Sequence, residues 1–180
     1  MLDSLVKSDQ AEKKSVFEVF VREIPQGRPF GVLAGTERVL ASLADFTFNE
    51  SHLSFLRSQN IISAITRDWL ADFRFTGNIT GYREGEIYFP FSPVLTVEAQ
   101  LGEALILETF ILSILNSDSA IASAANRIVE AASGRFVMEA GSRRISPESA
   151  VNAARAAYIG GVDVTSNLEA GRRWGIPTAG

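Results

Sequence analysis

The sequence predicts an α/β protein whose pattern changes partway along its 180 residues. Three observations carry that prediction. Apolar residues recur with a period of two between Asp72 and Thr96, as in a small antiparallel sheet. Leu101 to Asn116 is apolar on nearly all sides, as in a helix sandwiched between layers. After Gly134 the order becomes strand, loop, helix, repeated, which implies parallel β/α units. The expected division is 1–116 for an N-terminal α/β domain with the small sheet and 117–180 for a partial β/α domain of about three strands.

The elements follow in order. Leu2, Leu5 and Val6 stand at helical spacing with no upstream cap, so the chain is expected to begin inside an element. Ser15 to Arg22 alternates and is rich in β-formers, and Pro25-Gln26-Gly27 closes it as a turn. Gly31 to Gly35 is not a phosphate-binding P-loop, because no Gly-Lys-Ser/Thr follows it. Helices are expected over Thr36 to Ala44, after a capping box at Thr47 to Glu50, and over Ile61 to Leu70. Phe73, Phe75 and Ile79, then Ile87 and Phe89, then Val94 and Thr96 make the strands of the small sheet, its aromatics read as core packing. A second, Ala-rich helix is expected over Ser119 to Ala132, ended by Gly134 in the left-handed C′ position. Then come strand Arg135 to Glu139, helix Pro147 to Ile159, strand Val162 to Val164, helix Leu168 to Trp174 and the start of a strand at Ile176. A closed eight-stranded β/α barrel needs about 250 residues, so this second regime reads as unfinished.

Composition narrows the chemistry. The chain is 46% hydrophobic and 21% charged, with a mean hydropathy of +0.11, the balance of a soluble protein with a core. It has no Cys, which excludes disulfides, thiolate catalysis and Cys-ligated metals, and a single His, His52, which excludes a His cluster. Seventeen basic and 21 acidic residues, net -4, are spread along the chain, so no broad field attracts nucleic acid. The N-terminus lacks the apolar run of a secretory signal, making the cytoplasm the expected location. Leu101 to Leu115 is shorter than the ~18 residues of a membrane span and holds Glu103 and Glu108, so no membrane partner is expected.

In parallel β/α architectures, ligands gather at the carboxyl ends of the strands, where helix N-termini converge. Gly141-Ser142-Arg143-Arg144 precedes the N-cap and N1 pair Ser146-Pro147. Two guanidiniums there make either a phosphate clamp or a solvated or carboxylate-paired Arg couple. Asp163-Val164-Thr165-Ser166-Asn167 offers a carboxylate, two hydroxyls and an amide, either to a small polar ligand or, through Ser166 or Asn167, to the cap of the next helix. Thr178-Ala179-Gly180 is a third strand end. His52 reads as a surface residue rather than a general base, and Glu84 and Glu86 as carboxylates sharing a solvated face, with no catalytic role.

Eight segments in order resemble nicotinate phosphoribosyltransferases. They are Phe17 to Arg22, Asp72 to Gly77, Leu107 to Thr109, Ala125 to Ile128, Glu139 to Arg144, Ala156 to Gly161, Thr165 to Gly171 and Gly175 to Gly180. The resemblance implies an α/β N-terminal domain followed by the first part of the irregular β/α barrel of type II phosphoribosyltransferases. It also implies an enzyme, a transferase with ligase character, that joins nicotinate to 5-phosphoribosyl 1-pyrophosphate in NAD biosynthesis. ATP hydrolysis through a phosphorylated His, Mg2+ and a homodimer are implied with it.

Carried over by position, Arg143, with Arg144 beside it, resembles the Arg that meets the donor's phosphates. Ser166, with Thr165 and Asn167, resembles the strand-end group near the pyridine carboxylate. Ala140 stands where the family commonly has a bulkier apolar residue. The family's Thr-Asp-x-Tyr segment would precede Met1 and its Gly-Thr-x-x-His loop would follow Gly180. The chain therefore reads as an N-terminal fragment, inactive alone and without a catalytic residue of its own. The alternatives are a non-catalytic binding or subunit-pairing module and, more remotely, quinolinate phosphoribosyltransferase.

Overall fold

A computed structural model describes all of residues 1–180. In chain order its elements are α1 (Leu2–Lys7), β1 (Lys14–Val19), β2 (Gly31–Val32), α2 (Thr36–Leu43), α3 (Glu50–Ser58), α4 (Ala64–Ala71) and β3 (Asn78–Gly81). There follow β4 (Ile87–Tyr88), β5 (Leu95–Gln100), α5 (Leu101–Ala132), β6 (Met138–Glu139), α6 (Pro147–Ile159), β7 (Val164–Thr165) and α7 (Leu168–Trp174). They form two compact units that interleave along the chain: 1–19, 38–81 and 95–112 make one, and 20–37, 82–94 and 113–180 the other. The division expected after residue 116 falls inside α5.

The first unit is built on a three-stranded antiparallel sheet of order β1-β5-β3, with Phe17 opposite Val97 and Ile79 opposite the same residue. Leu95, Val97 and Ala99 are buried on one face of β5, and Glu98 is exposed on the other, the alternation of a half-buried strand. Phe46 is the hub of an aromatic cluster, with Phe48, Phe73 and Phe110 at ring distances of 5.9, 5.9 and 5.1 Å. Phe73, expected on a strand, lies just after α4 and is buried in that cluster. The strands expected between 72 and 96 also do not form one sheet. β3 and β5 pair within this unit, and β4 pairs with β2 in the other.

One cap in this unit differs from the sequence reading, and a second is supplied from a distant helix. The capping box at the start of α3 is Asn49 with His52 rather than Thr47 with Glu50. The Asn49 side chain accepts from the His52 N–H at 3.0 Å and His52 Nδ1 accepts from the Asn49 N–H at 3.3 Å. His52 thus has a structural use. Ser63 begins α4, but the carboxylate that caps it comes from α1: Asp3 Oδ1 accepts from Ser63 N–H, Ser63 Oγ and Thr66 Oγ1 at 2.7, 2.6 and 2.7 Å. The Lys7 ammonium, at 2.6 Å, and these donors hold the Asp3 carboxyl well below its ordinary range. A lowered folded-state value stabilises the fold above the ordinary value of 3.8, and that contribution drains away as pH falls toward the folded one. Asp3→Ala is expected to lower Tm at pH 7 and to approach the parent protein below about pH 4. Thermal unfolding curves that stay parallel from pH 7 to pH 3 would contradict this.

The second unit holds two small sheets. β2 and β4 pair antiparallel, Gly31 opposite Tyr88 and Val32 opposite Ile87. Two serines one helical turn apart on α5 serve the backbone of the β2 segment: Ser123 Oγ accepts from the Val32 N–H at 2.8 Å, and Ser119 Oγ from the Ala34 N–H at 3.1 Å. Both are buried. α5 runs unbroken through Asn116-Ser117-Asp118, where the sequence suggested a break between two helices.

At 32 residues α5 is long and apolar enough, by length and composition, to cross a membrane. Several of its polar side chains have protein partners instead: besides the two serines, the Glu103 carboxylate accepts from Thr76 N–H and Oγ1 at 3.1 and 2.8 Å. It is a core helix with one wet side, where Glu108, Thr109 and Leu112 are exposed, rather than one covered all round.

The last third forms parallel β/α units, as expected. β6 and β7 pair in parallel, Thr165 bridges in parallel to Thr178, and no closed barrel is formed. α6 packs Ala156 against Val32, Ala34 and Ala122, and Ala157 against Ala125 and Val162. Gly160, which follows α6, permits a close approach to α5, since a Cβ there would lie 2.4 Å from the Ala122 carbonyl oxygen. α7 ends at Gly175, whose φ of 66° is the left-handed conformation that glycine adopts without strain.

Candidate active site

Two neighbouring parallel strands end at the site. β6 ends at Glu139 and hands the chain to Ala140 to Ile145. Ser146 and Pro147 then start α6 as N-cap and N1, the pair read from the sequence. β7 ends at Thr165, and Asn167 caps α7, its side-chain oxygen accepting from the Ala170 N–H at 3.0 Å. The capping reading therefore holds for Asn167. Its amide nitrogen also reaches the first loop, donating to Ser142 Oγ at 3.1 Å. The guanidinium loop and the hydroxyl-amide loop are thus joined side by side.

Arg143 and Arg144 are exposed and enter none of the ion pairs of their unit, which excludes the carboxylate-paired reading. Other arginines of the unit are committed elsewhere: Arg127 to the Ser123 and Phe30 carbonyls, Arg155 to Glu84, and Arg172 and Arg173 to Glu169. The Arg144 N–H donates to the Gly141 carbonyl at 2.9 Å, curling the loop so that both arginines leave from a tight turn. Ser166 is half-buried, and its N–H donates to the Glu139 carbonyl at 2.8 Å, which fixes its backbone and leaves its hydroxyl at the strand end.

Thr165 and Asp163 depart from the simple picture of a polar run. Thr165 is 1% exposed, and its hydroxyl donates to Glu139 Oε2 at 2.6 Å while accepting from the Asn167 N–H at 3.0 Å. It builds the wall of the site. Asp163 precedes β7, and its carboxylate accepts from the Val137 N–H at 2.8 Å, so it is not the acid at the strand end. That acid is Glu139, which sequence reasoning passed over. The available signal was its place as the last strand residue, two before a glycine.

Behind the loops, a polar cluster ties the scaffold together. Arg155, 5% exposed in the middle of α6, forks onto Glu84 at 2.9 and 2.6 Å, reaches Glu37 at 2.6 Å, and lies 4.3 Å over the Trp174 ring of α7. Glu84 is therefore half-buried in an ion pair, not solvated beside Glu86. Burial alone would push its carboxyl up. Hydrogen bonds and charge from Arg155, with the Gly35 N–H at 2.6 Å, outweigh that and hold it below the ordinary value. For the Arg155 guanidinium, burial opposes the charge, and the pairing with Glu84 and Glu37 outweighs it and raises its value. The same helices share an apolar contact of Val151, Ala154, Ala170 and Ile176. Their N-termini, which carry the two loops, are held in register by this packing.

Comparison with known proteins places the chain in a family. The sequence model of the nicotinate phosphoribosyltransferase (NAPRTase) N-terminal domain matches residues 1–116. Nicotinate phosphoribosyltransferase pncB1 of Mycobacterium tuberculosis is 48% identical over 180 residues, covering 100% of this chain and 40% of the relative. Among solved structures, human nicotinic acid phosphoribosyltransferase superposes with a TM-score of 0.92 at 28% identity, covering 100% of this chain and 37% of the human one. Nicotinate-nucleotide pyrophosphorylase from Pyrococcus furiosus gives a TM-score of 0.77 at 28% identity, over 99% of this chain and 38% of that one. The chain thus spans about 40% of the length of the M. tuberculosis relative. A family model that accounts for residues 1–116 and a superposition that runs through both strand-end loops lead to one conclusion: the chain belongs to the nicotinate phosphoribosyltransferase family.

Proposed function

We propose that the protein carrying this chain joins nicotinate to 5-phosphoribosyl 1-pyrophosphate, releasing pyrophosphate and forming nicotinate mononucleotide for NAD biosynthesis. The observation that carries the reading is the 3.1 Å hydrogen bond from Asn167 to Ser142, which sets an exposed arginine pair beside the Ser166 hydroxyl at adjacent parallel strand ends. Guanidinium forks match phosphate oxygens in geometry and charge. The reaction strips pyrophosphate from the sugar through an oxocarbenium-like state, so fixed positive charge at the leaving group stabilises what the transition state develops. Ser166 donates to the pyridine carboxylate.

The resemblance also supports ATP and Mg2+ as reagents, a homodimer and a cytoplasmic location. The chain has no cluster of three or more His, Asp or Glu side chains able to hold a metal by itself. The direct test supplies nicotinate, 5-phosphoribosyl 1-pyrophosphate, ATP and Mg2+ to the natural product of the gene that carries this sequence. Nicotinate mononucleotide is expected by chromatography, with nicotinamide a far poorer acceptor. Equal use of the two pyridines, or no product from either, would overturn the reading. The 180-residue chain alone, which covers 40% of its M. tuberculosis relative, is expected to form none.

A further inference from the structure

Glu139 stands at a closed ring of hydrogen bonds. One carboxylate oxygen accepts from the Gly141 N–H and the other from Thr165 Oγ1 at 2.6 Å. Thr165 Oγ1 accepts from the Asn167 N–H at 3.0 Å, and the Asn167 amide returns to Ser142, next to Gly141, at 3.1 Å. The Glu139 carbonyl holds the Ser166 N–H at 2.8 Å. A Cβ at Gly141 would lie 2.9 Å from Glu139 Oε1, so the carboxylate sits close against this loop. The side chain is half-buried, with each oxygen satisfied by a different loop. It belongs to neither loop yet fixes both.

We propose that Glu139 is a positioning residue that couples the Arg143-Arg144 loop to the Thr165-Ser166-Asn167 loop, so that the phosphate-binding and pyridine-binding halves of the site are set together. The proposal rests on the function proposed above, and part of its test does not. Loops held in place in advance bind both reactants without paying to order the site at the moment of binding, and freeing them loses that gain in affinity for each. Removing the carboxylate frees both loops at once. A group that only supported the fold would lower the amount of active enzyme and leave the affinity of the remainder unchanged.

The experiment compares the unsubstituted protein with Glu139→Ala, Glu139→Gln, Thr165→Val and the Glu139→Ala/Thr165→Val pair. In Glu139→Ala, KM for the phosphoribosyl donor and KM for nicotinate are both expected to rise about 10- to 100-fold, as for lost hydrogen bonds to a charged group. Glu139→Gln keeps one acceptor oxygen and is expected to fall between. The pair is expected to cost far less than the product of the single effects, since both substitutions open the same ring. Independently of activity, amide hydrogen exchange at 140–144 and 165–168 is expected to quicken about tenfold or more in Glu139→Ala and in Thr165→Val. Quickening of one loop only, or a fall in kcat with both KM values unchanged, would overturn the proposal. An unsubstituted protein that made no nicotinate mononucleotide would remove the functional reading, while the exchange measurement would still decide the coupling.

Discussion

Replacing Glu84 by alanine is expected to cost about 3–5 kcal/mol of folding stability, as breaking a buried ion pair does. Arg155 would keep its charge at 5% exposure with only Glu37, at 2.6 Å, left to meet it. Glu37 is a poor substitute because its side chain is 71% exposed and its charge is screened by water. The Gly35 N–H would lose its acceptor as well. Glu37→Ala is the matched control, expected to cost no more than about 1 kcal/mol. Urea unfolding of the two variants decides the matter, and equal losses would show that Glu84 does no more for Arg155 than the exposed Glu37 does. The pH dependence has a definite sign. The folded-state value of Glu84 lies below its ordinary 4.5, so the pair stabilises the fold above that value and the contribution is lost as pH falls through the folded one. The gap between the parent protein and Glu84→Ala should be constant from neutral pH to about pH 5 and close below about pH 4.5.

Arg143→Ala is expected to lower kcat/KM for the phosphoribosyl donor about 100- to 1,000-fold in the enzyme that carries this chain, with unfolding unchanged. The two halves of the expectation have separate grounds. The side chain is exposed and has no ion-pair partner in the protein, so its loss disturbs no packing. Its proposed work is on the departing pyrophosphate, where charge grows in the transition state. Arg143→Lys should recover part of the loss, because a point charge remains while the two-pronged geometry is gone. Steady-state kinetics with varied donor measures this, and Arg144→Ala beside it shows which guanidinium matters more. A kcat/KM within about threefold of the parent for Arg143→Ala would remove this residue from phosphate recognition.

The second half of the chain was legible to the residue at several points. α6 and α7 begin where Pro147 and Asn167 place them, since proline presets the first helical φ and the Asn167 side chain caps a backbone N–H three residues on. The strand-end location of the two loops was equally readable, because parallel β/α order forces it. The failures share a cause. Polar residues at 116–119 looked like a helix break, yet Ser119 serves the backbone of Ala34 from 85 positions away. Glu84 beside a turn looked solvated, yet its partner Arg155 is 71 positions downstream. Phe73 and Phe75 alternated like a strand, yet the pairing that extends the sheet beyond β3 comes from β1 at the other end of the chain, through β5.

The starts of α6 and α7 therefore came from local chemistry, in which a residue and its partner lie within about four positions of each other. Chain folding alone chose which polar groups are buried and what meets them: Ser123 for β2, Arg155 for Glu84, and Thr165 for Glu139 across 26 residues. The physical reason is that desolvating a polar side chain is costly unless a partner arrives with it, and the arrival depends on how distant segments are brought together.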